Sequence, residues 1–150
     1  SFIDMAYLKK SDLKNGIITY RRRKTGQQLT VKWEKCMEDI IAKYGENTAT
    51  RYLLPIITNP CSDERTQYRN AICRINVALK EVAGLAGLNI PLTMHVARHC
   101  WASVAKSKNI PLSVISEGMG HDSEETTRIY LASLDTSVVD KANSLILKDF

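Results

Sequence analysis

Long apolar runs are missing from this chain of 150 residues. None approaches the roughly 18 residues that a membrane helix needs, so a helical membrane protein is excluded. Glycine (7) and proline (4) are too scarce for a collagen-like chain or an extended linker. No repeat, low-complexity tract or clear internal linker interrupts the sequence. Cysteine is sparse as well. Cys36, Cys61, Cys73 and Cys100 lie far apart with no C-x-x-C, which argues against a zinc ribbon. They are expected to be reduced, partly buried thiols of a cytosolic protein. A metal site joining Cys73 to His99 and Cys100 is disfavoured, because adjacent ligands on one helix point about 100° apart. The opening residues, Ser1 to Met5, carry an acid where a secretory leader starts positively, so no such leader is expected.

What is present is an ordinary globular composition, 44% hydrophobic and 25% charged. The length suits one domain or a piece of a larger protein, with enough chain to build a core without staples. The net charge of +5 is unevenly spread. Nine Lys/Arg face three Asp/Glu within residues 1–35, whereas the remaining twelve bases face thirteen acids. A focused basic patch on a neutral domain points to a polyanion, most simply nucleic acid. The alternative is a solvated face kept charged for solubility.

Local patterns predict a mainly helical chain with one small antiparallel sheet, an α+β fold. Met5 to Leu8 reads as the tail of a helix, and Asp12 to Gly16 as turn. Ile17–Tyr20 and Leu29–Trp33 are β-branched and aromatic runs around a basic, glycine-bearing stretch, which predicts a hairpin with Lys24 and Gly26 at its tip. Glu34 to Tyr44 has helical spacing, with Cys36, Ile40, Ile41 and Tyr44 on one side and Gly45 ending it. Asp63 to Ala86 predicts a long helix whose core face is Ala71, Ile75, Ala78, Val82 and Leu85. Thr93 is expected to cap a helix to Lys108 with Met94, Ala97, Trp101 and Val104 inward. A short helix follows Pro111 to Met119. Asp122 to Glu125 has the spacing of a capping box and opens a helix carrying Tyr130. A last helix is expected over 137–147, with Val138, Ala142, Leu145 and Ile146 as its apolar stripe.

The chemistry lies in scattered residues. His95 and Arg98 stand three apart on one expected helix, hence on the same face. His121 follows Gly118-Met119-Gly120, where glycine lets a substrate backbone approach. Tyr130 comes nine residues later, and Lys24 projects from the hairpin. A tyrosine can form a phosphoester, an arginine fork fits two phosphate oxygens, and histidine and lysine can move protons. Together they suit phosphoryl transfer. No carboxylate pair stands ready for Mg²⁺, so no metal or cofactor is expected. Each residue alone has a plainer reading: Tyr130 as a half-buried packing residue, His95 as a surface or capping group, His121 as a residue after a helix end. His99 is expected to pack or bond backbone, and Trp33 and Trp101 to be core.

Thr93-Met94-His95-Val96-Ala97-Arg98-His99, then Met119-Gly120-His121, then Thr127-Arg128-Ile129-Tyr130 resemble the H-x-x-R, L-G-H and T-x-x-Y boxes of the tyrosine recombinases, the phage-integrase family. Arg23-Lys24-Thr25-Gly26 resembles the family's hairpin lysine, and Asp4-Met5-Ala6-Tyr7-Leu8 the segment after its first arginine. The ordered boxes cover essentially the whole chain, with the flavour of mobile-element integrases. The resemblance implies the tyrosine-recombinase catalytic-domain fold over residues 1–150, with a helical core-binding domain and the start of the catalytic domain lying upstream. It implies a site-specific recombinase in which Tyr130 attacks DNA, Arg98 and His121 steady the phosphate, His95 assists and Lys24 serves as general acid. Arg21, Arg22, Arg23, Lys32 and Arg128 are the expected DNA contacts, although Arg128 equally fits an ordinary helix charge. Implied partners are duplex DNA and further copies of the chain, in a tetramer on DNA; helix 137–147 either folds back on its own domain or is exchanged with a neighbouring copy. The implied location is the bacterial cytoplasm, at the nucleoid. In the family's G-x-R-x-x-E pattern Asp4 falls on the acid and Ser1 on the arginine. That group is therefore either supplied from upstream or lacking. A DNA-binding accessory protein without turnover and a type IB topoisomerase-like relaxing enzyme are the alternatives.

Overall fold

The computed structural model describes residues 1–44 and 49–134. Two compact units make up the chain, and the division falls between Arg98 and His99.

The first unit opens with α1 (Phe2–Ala6), a single 3-10 turn at Lys10–Asp12, and a three-stranded antiparallel sheet. Its strands are β1 (Leu13–Lys14), β2 (Ile17–Arg21) and β3 (Gln28–Lys32), in the order β1-β2-β3. The sheet thus has one strand more than the expected hairpin. The missed signal is Asn15-Gly16. Both residues have positive φ, 52° and 73°, and Lys14 pairs with Ile17. That is a two-residue type I′ turn, whose twist matches the strands it joins. In the β2–β3 hairpin Arg21 pairs with Gln28 and Gly26 has φ 73°, which leaves Lys24 at the exposed tip.

Next come α2 (Lys35–Ala42) and α3 (Glu64–Leu85), followed by the first turn of α4 (Met94–Ser107). The Asp63 carboxylate caps α3 by accepting the Thr66 N–H at 2.7 Å. At the start of α4, the Met94 N–H donates to Asn76 Oδ1 of α3 at 3.0 Å, while the Thr93 carbonyl accepts from Val96. The core of this unit holds Phe2, Ala6, Ile18, Leu29, Tyr52 and Ile57. Both α2 and α3 bury little, and the expected core face of α3 is corrected. No residue of α2 is buried; Met37, Ile40 and Ile41 instead line an open apolar cavity of about 280 Å³ beside the sheet. Along α3 only Ala71 of the expected face is buried, with Ala83, whereas Val82 and Leu85 are exposed.

The second unit continues α4 and adds α5 (Leu112–Met119) and α6 (Glu124–Leu134). Ala102, Ala105, Ile115, Met119 and Leu131 form its core, with Leu112 and Tyr130 packed against it. Alanines of α4 therefore face inward, and Trp101 and Val104, expected inside, are 51% and 46% exposed. Gly120 closes α5 at φ 59°, the left-handed cap that glycine adopts without a Cβ penalty. The Gly120 and His121 N–H groups donate back to the Glu117 and Ser116 carbonyls, a Schellman closure. The cap of α6 is Ser123 and not Asp122: its hydroxyl accepts the Thr126 N–H at 3.2 Å. All four cysteines are exposed, contrary to the expected partial burial. The readings of Gly45 as a helix end and of 137–147 as a helix lie outside the described residues. No described helix is long and apolar enough to cross a membrane.

Candidate active site

Helix α6 presents its residues in two directions. Thr127 is fully buried, and Tyr130, one turn on, is half-buried against the core. Two histidines of the second unit meet at this ring. The Tyr130 hydroxyl lies 2.6 Å from His99 Nδ1, and the two rings stack at 5.1 Å and 15°. His121 meets the same tyrosine edge-on, at 5.5 Å and 71°. His121 Nδ1 is in turn 2.8 Å from the Thr127 hydroxyl, which also reaches the Ser123 carbonyl at 3.5 Å. The Schellman turn delivers His121, so it is both a residue after a helix end and a neighbour of the tyrosine.

His99 packs, as expected, and its ring nitrogen also meets the phenol. The signal that could have found it is its place directly after Arg98, on the turn of helix that carries the H-x-x-R box.

The other expected catalytic residues, His95, Arg98 and Lys24, belong to the first unit. His95 is exposed and Arg98 half-buried, both on α4. Arg98 lies close enough to influence position 1 and Tyr20. Burial, with the Asp4 charge, raises the Tyr20 phenol despite Arg22 and Arg98. Position 1, where the resemblance aligns the family's first arginine, is thus within electrostatic reach of Arg98.

The basic hairpin is divided by burial. Lys24, Arg21 and Arg23 are exposed, but Arg22 is buried at 7% and its Nε sits 3.6 Å from the Asp4 carboxylate. Arg22 is therefore corrected from a surface DNA contact to a structural cation. Burial favours the neutral Asp4 acid, yet hydrogen bonds from the Ser1 hydroxyl and the Arg23 N–H, with nearby cations, outweigh it and hold the carboxyl below its usual range. Arg23 also lies over the Tyr7 ring at 3.8 Å. Lys32 and Arg128 are exposed and pair with Glu34 and Glu125 at 3.4 and 3.6 Å. Among the described residues no group of three His, Cys, Asp or Glu could hold a metal ion.

The chain thus joins helices and one small antiparallel sheet with a tyrosine set between two histidines. The sequence profile of the phage integrase family matches residues 3–137, and the chain belongs to that family, the tyrosine recombinases. Among solved structures it is similar to the XerA recombinase, at 22% identity and TM-score 0.65 over 96% of this chain and 52% of that one. It is also similar to the XerH site-specific recombinase bound to its palindromic difH substrate in a post-cleavage complex, at 20% identity and TM-score 0.62 over 95% of this chain and 40% of that one. The chain thus spans about half the length of the first and two fifths of the second. The fold is that of a tyrosine recombinase catalytic domain. No curated protein matches.

Proposed function

We propose that the chain is the catalytic domain of a site-specific DNA recombinase that breaks and rejoins strands through Tyr130. The observation that carries this reading is the Tyr130 hydroxyl, hydrogen-bonded to His99 and flanked by His121, in a chain of the integrase family. Tyr130 attacks the scissile phosphate, gives a 3′-phosphotyrosyl link and frees a 5′-hydroxyl. Arg98 and His121 stabilise charge on the phosphate oxygens, a kind of contribution worth about 10²–10³ in rate per donor. Lys24 protonates the leaving 5′-oxygen, and His95 assists proton transfer and positions the phosphate. A 5′-hydroxyl of a second strand reverses the step. The bond energy is kept in the phosphotyrosine, so ATP is not needed.

Duplex DNA is the substrate, met by the exposed Arg21, Arg23 and Lys32 and by Arg128. The XerH relative carries a DNA substrate in its complex, which supports this assignment. Four copies assemble on DNA, and the work is done in the bacterial cytoplasm. The test is a nicked suicide duplex carrying the recombination site, selected beforehand by binding from random duplexes, and the full-length protein. A covalent protein–DNA adduct that vanishes in Tyr130→Phe is expected. An adduct that persists in that variant refutes the assignment.

A second reading, a DNA-binding accessory without turnover, is favoured by serine at position 1 where the family pattern has arginine. Tight binding with no adduct would establish it. Relaxation of a lone supercoiled plasmid, without exchange between two sites, would instead indicate a topoisomerase-like enzyme.

A further inference from the structure

We propose that His99 is the general base that takes the phenolic proton of Tyr130 during strand cleavage; this rests on the recombinase reading above. The 2.6 Å contact between the Tyr130 hydroxyl and His99 Nδ1 is at the short end for hydrogen bonds of this kind. In the proposed arrangement the hydroxyl donates to Nδ1, and the imidazole carries its own proton on Nε2. Near-parallel stacking of the two rings, at 15°, fixes that geometry. A free phenol loses its proton near pH 10, so only about one in a thousand is ionised at neutral pH. A base already hydrogen-bonded to the oxygen removes that handicap and contributes about 10²–10⁴ in rate.

The step balances. As the Tyr130 oxygen bonds to phosphorus, its proton passes to His99 Nδ1 and leaves an imidazolium. The bond from phosphorus to the 5′-oxygen breaks, and that oxygen is protonated separately by the general acid. On rejoining, a 5′-hydroxyl attacks phosphorus, the phenolic oxygen departs, and His99 returns the proton. Within this unit His121 faces the pair: from the turn before α6 it meets the Tyr130 ring edge-on with its Nδ1 engaged by Thr127. The acids of α5 and α6, namely Glu117, Glu124 and Glu125, are exposed, and Glu125 pairs with Arg128.

The experiment measures single-turnover adduct formation on the nicked suicide duplex from pH 6 to about 10, in the full-length protein and its His99→Ala and His99→Asn variants. DNA affinity and thermal melting are followed in parallel. Both variants are expected to bind DNA within about twofold of the parent and to lose about 10²–10⁴ in rate at pH 7. The deficit should shrink about tenfold per pH unit as the phenol ionises unaided. Added imidazole should raise the His99→Ala rate. An undiminished rate, a deficit equal at every pH, or full activity in His99→Asn, which keeps a hydrogen-bonding group but no base, would overturn the proposal. A measurement on the unaltered protein stands apart from variant folding: nitrogen-15 spectra should show neutral His99 protonated on Nε2, and protonation on Nδ1 would refute it. Absence of adduct in the parent, by contrast, refutes the recombinase reading itself.

Discussion

Asp4 and Arg22 show how much one burial decision matters. The carboxylate and guanidinium are 5% and 7% exposed, and they face each other at 3.6 Å. Removing one member of a buried pair strands the other charge, which typically costs roughly 3–5 kcal/mol. Arg22→Ala should destabilise the protein by about that amount at pH 7, whereas alanine at the exposed Arg21 should stay within about 0.5 kcal/mol; urea unfolding measures both. The pH dependence follows from the direction of the Asp4 shift. Its carboxyl is held below the ordinary range, so the folded state binds fewer protons than the unfolded chain. Its stabilising effect is complete above the ordinary carboxylate pKa of about 3.9 and is lost as the pH falls through the lower folded value. Asp4→Asn should therefore lose less stability than the parent on acidification below about pH 4. A run of four bases, Arg21 to Lys24, was legible in the sequence; which of them turns inward was not, because that depends on Asp4, eighteen residues away from Arg22 along the chain.

Helix ends were legible because their signals are local. Asp63 capping α3, Pro111 before α5 and Gly120 after it are each read within four residues. Helix faces were less so. On α4 the apolar spacing fits Trp101 and Val104 as well as Ala102 and Ala105, and only the packing of α4, α5 and α6 into one core selects the alanines. Trp101 lies instead over Gly118 of α5. A Cβ added at Gly118 would come within 2.7 Å of its ring. Gly118→Ala alone should thus gain less than the roughly 1 kcal/mol that alanine adds over glycine in a helix. In a Trp101→Ala background the same change should approach that full gain. A double-mutant cycle read by thermal melting should give a coupling above about 0.5 kcal/mol, and additivity would show that the ring does not constrain this position.

For the molecule as a whole, DNA affinity should be electrostatic and concentrated in the hairpin. Removing one phosphate-binding cation lowers the slope of log K against log salt by about 0.9. The double variant Arg21→Ala, Arg23→Ala should therefore flatten the slope by about 1–2 and weaken binding to all sequences alike. A slope equal to the parent's would remove the hairpin from the interface. The amino-acid sequence by itself determined the helix-rich class, the basic hairpin, the helix boundaries and the ordered boxes that mark the family. Such features arise from periodicity, capping and turn chemistry, which act over a few residues. Tertiary structure alone decided that Arg22 is buried, that alanines rather than Trp101 line the core, and that His99 holds the Tyr130 hydroxyl. Those outcomes join groups far apart in the chain, up to 31 residues for His99 and Tyr130. Their geometry is set by which surfaces exclude water together, and no local pattern encodes it.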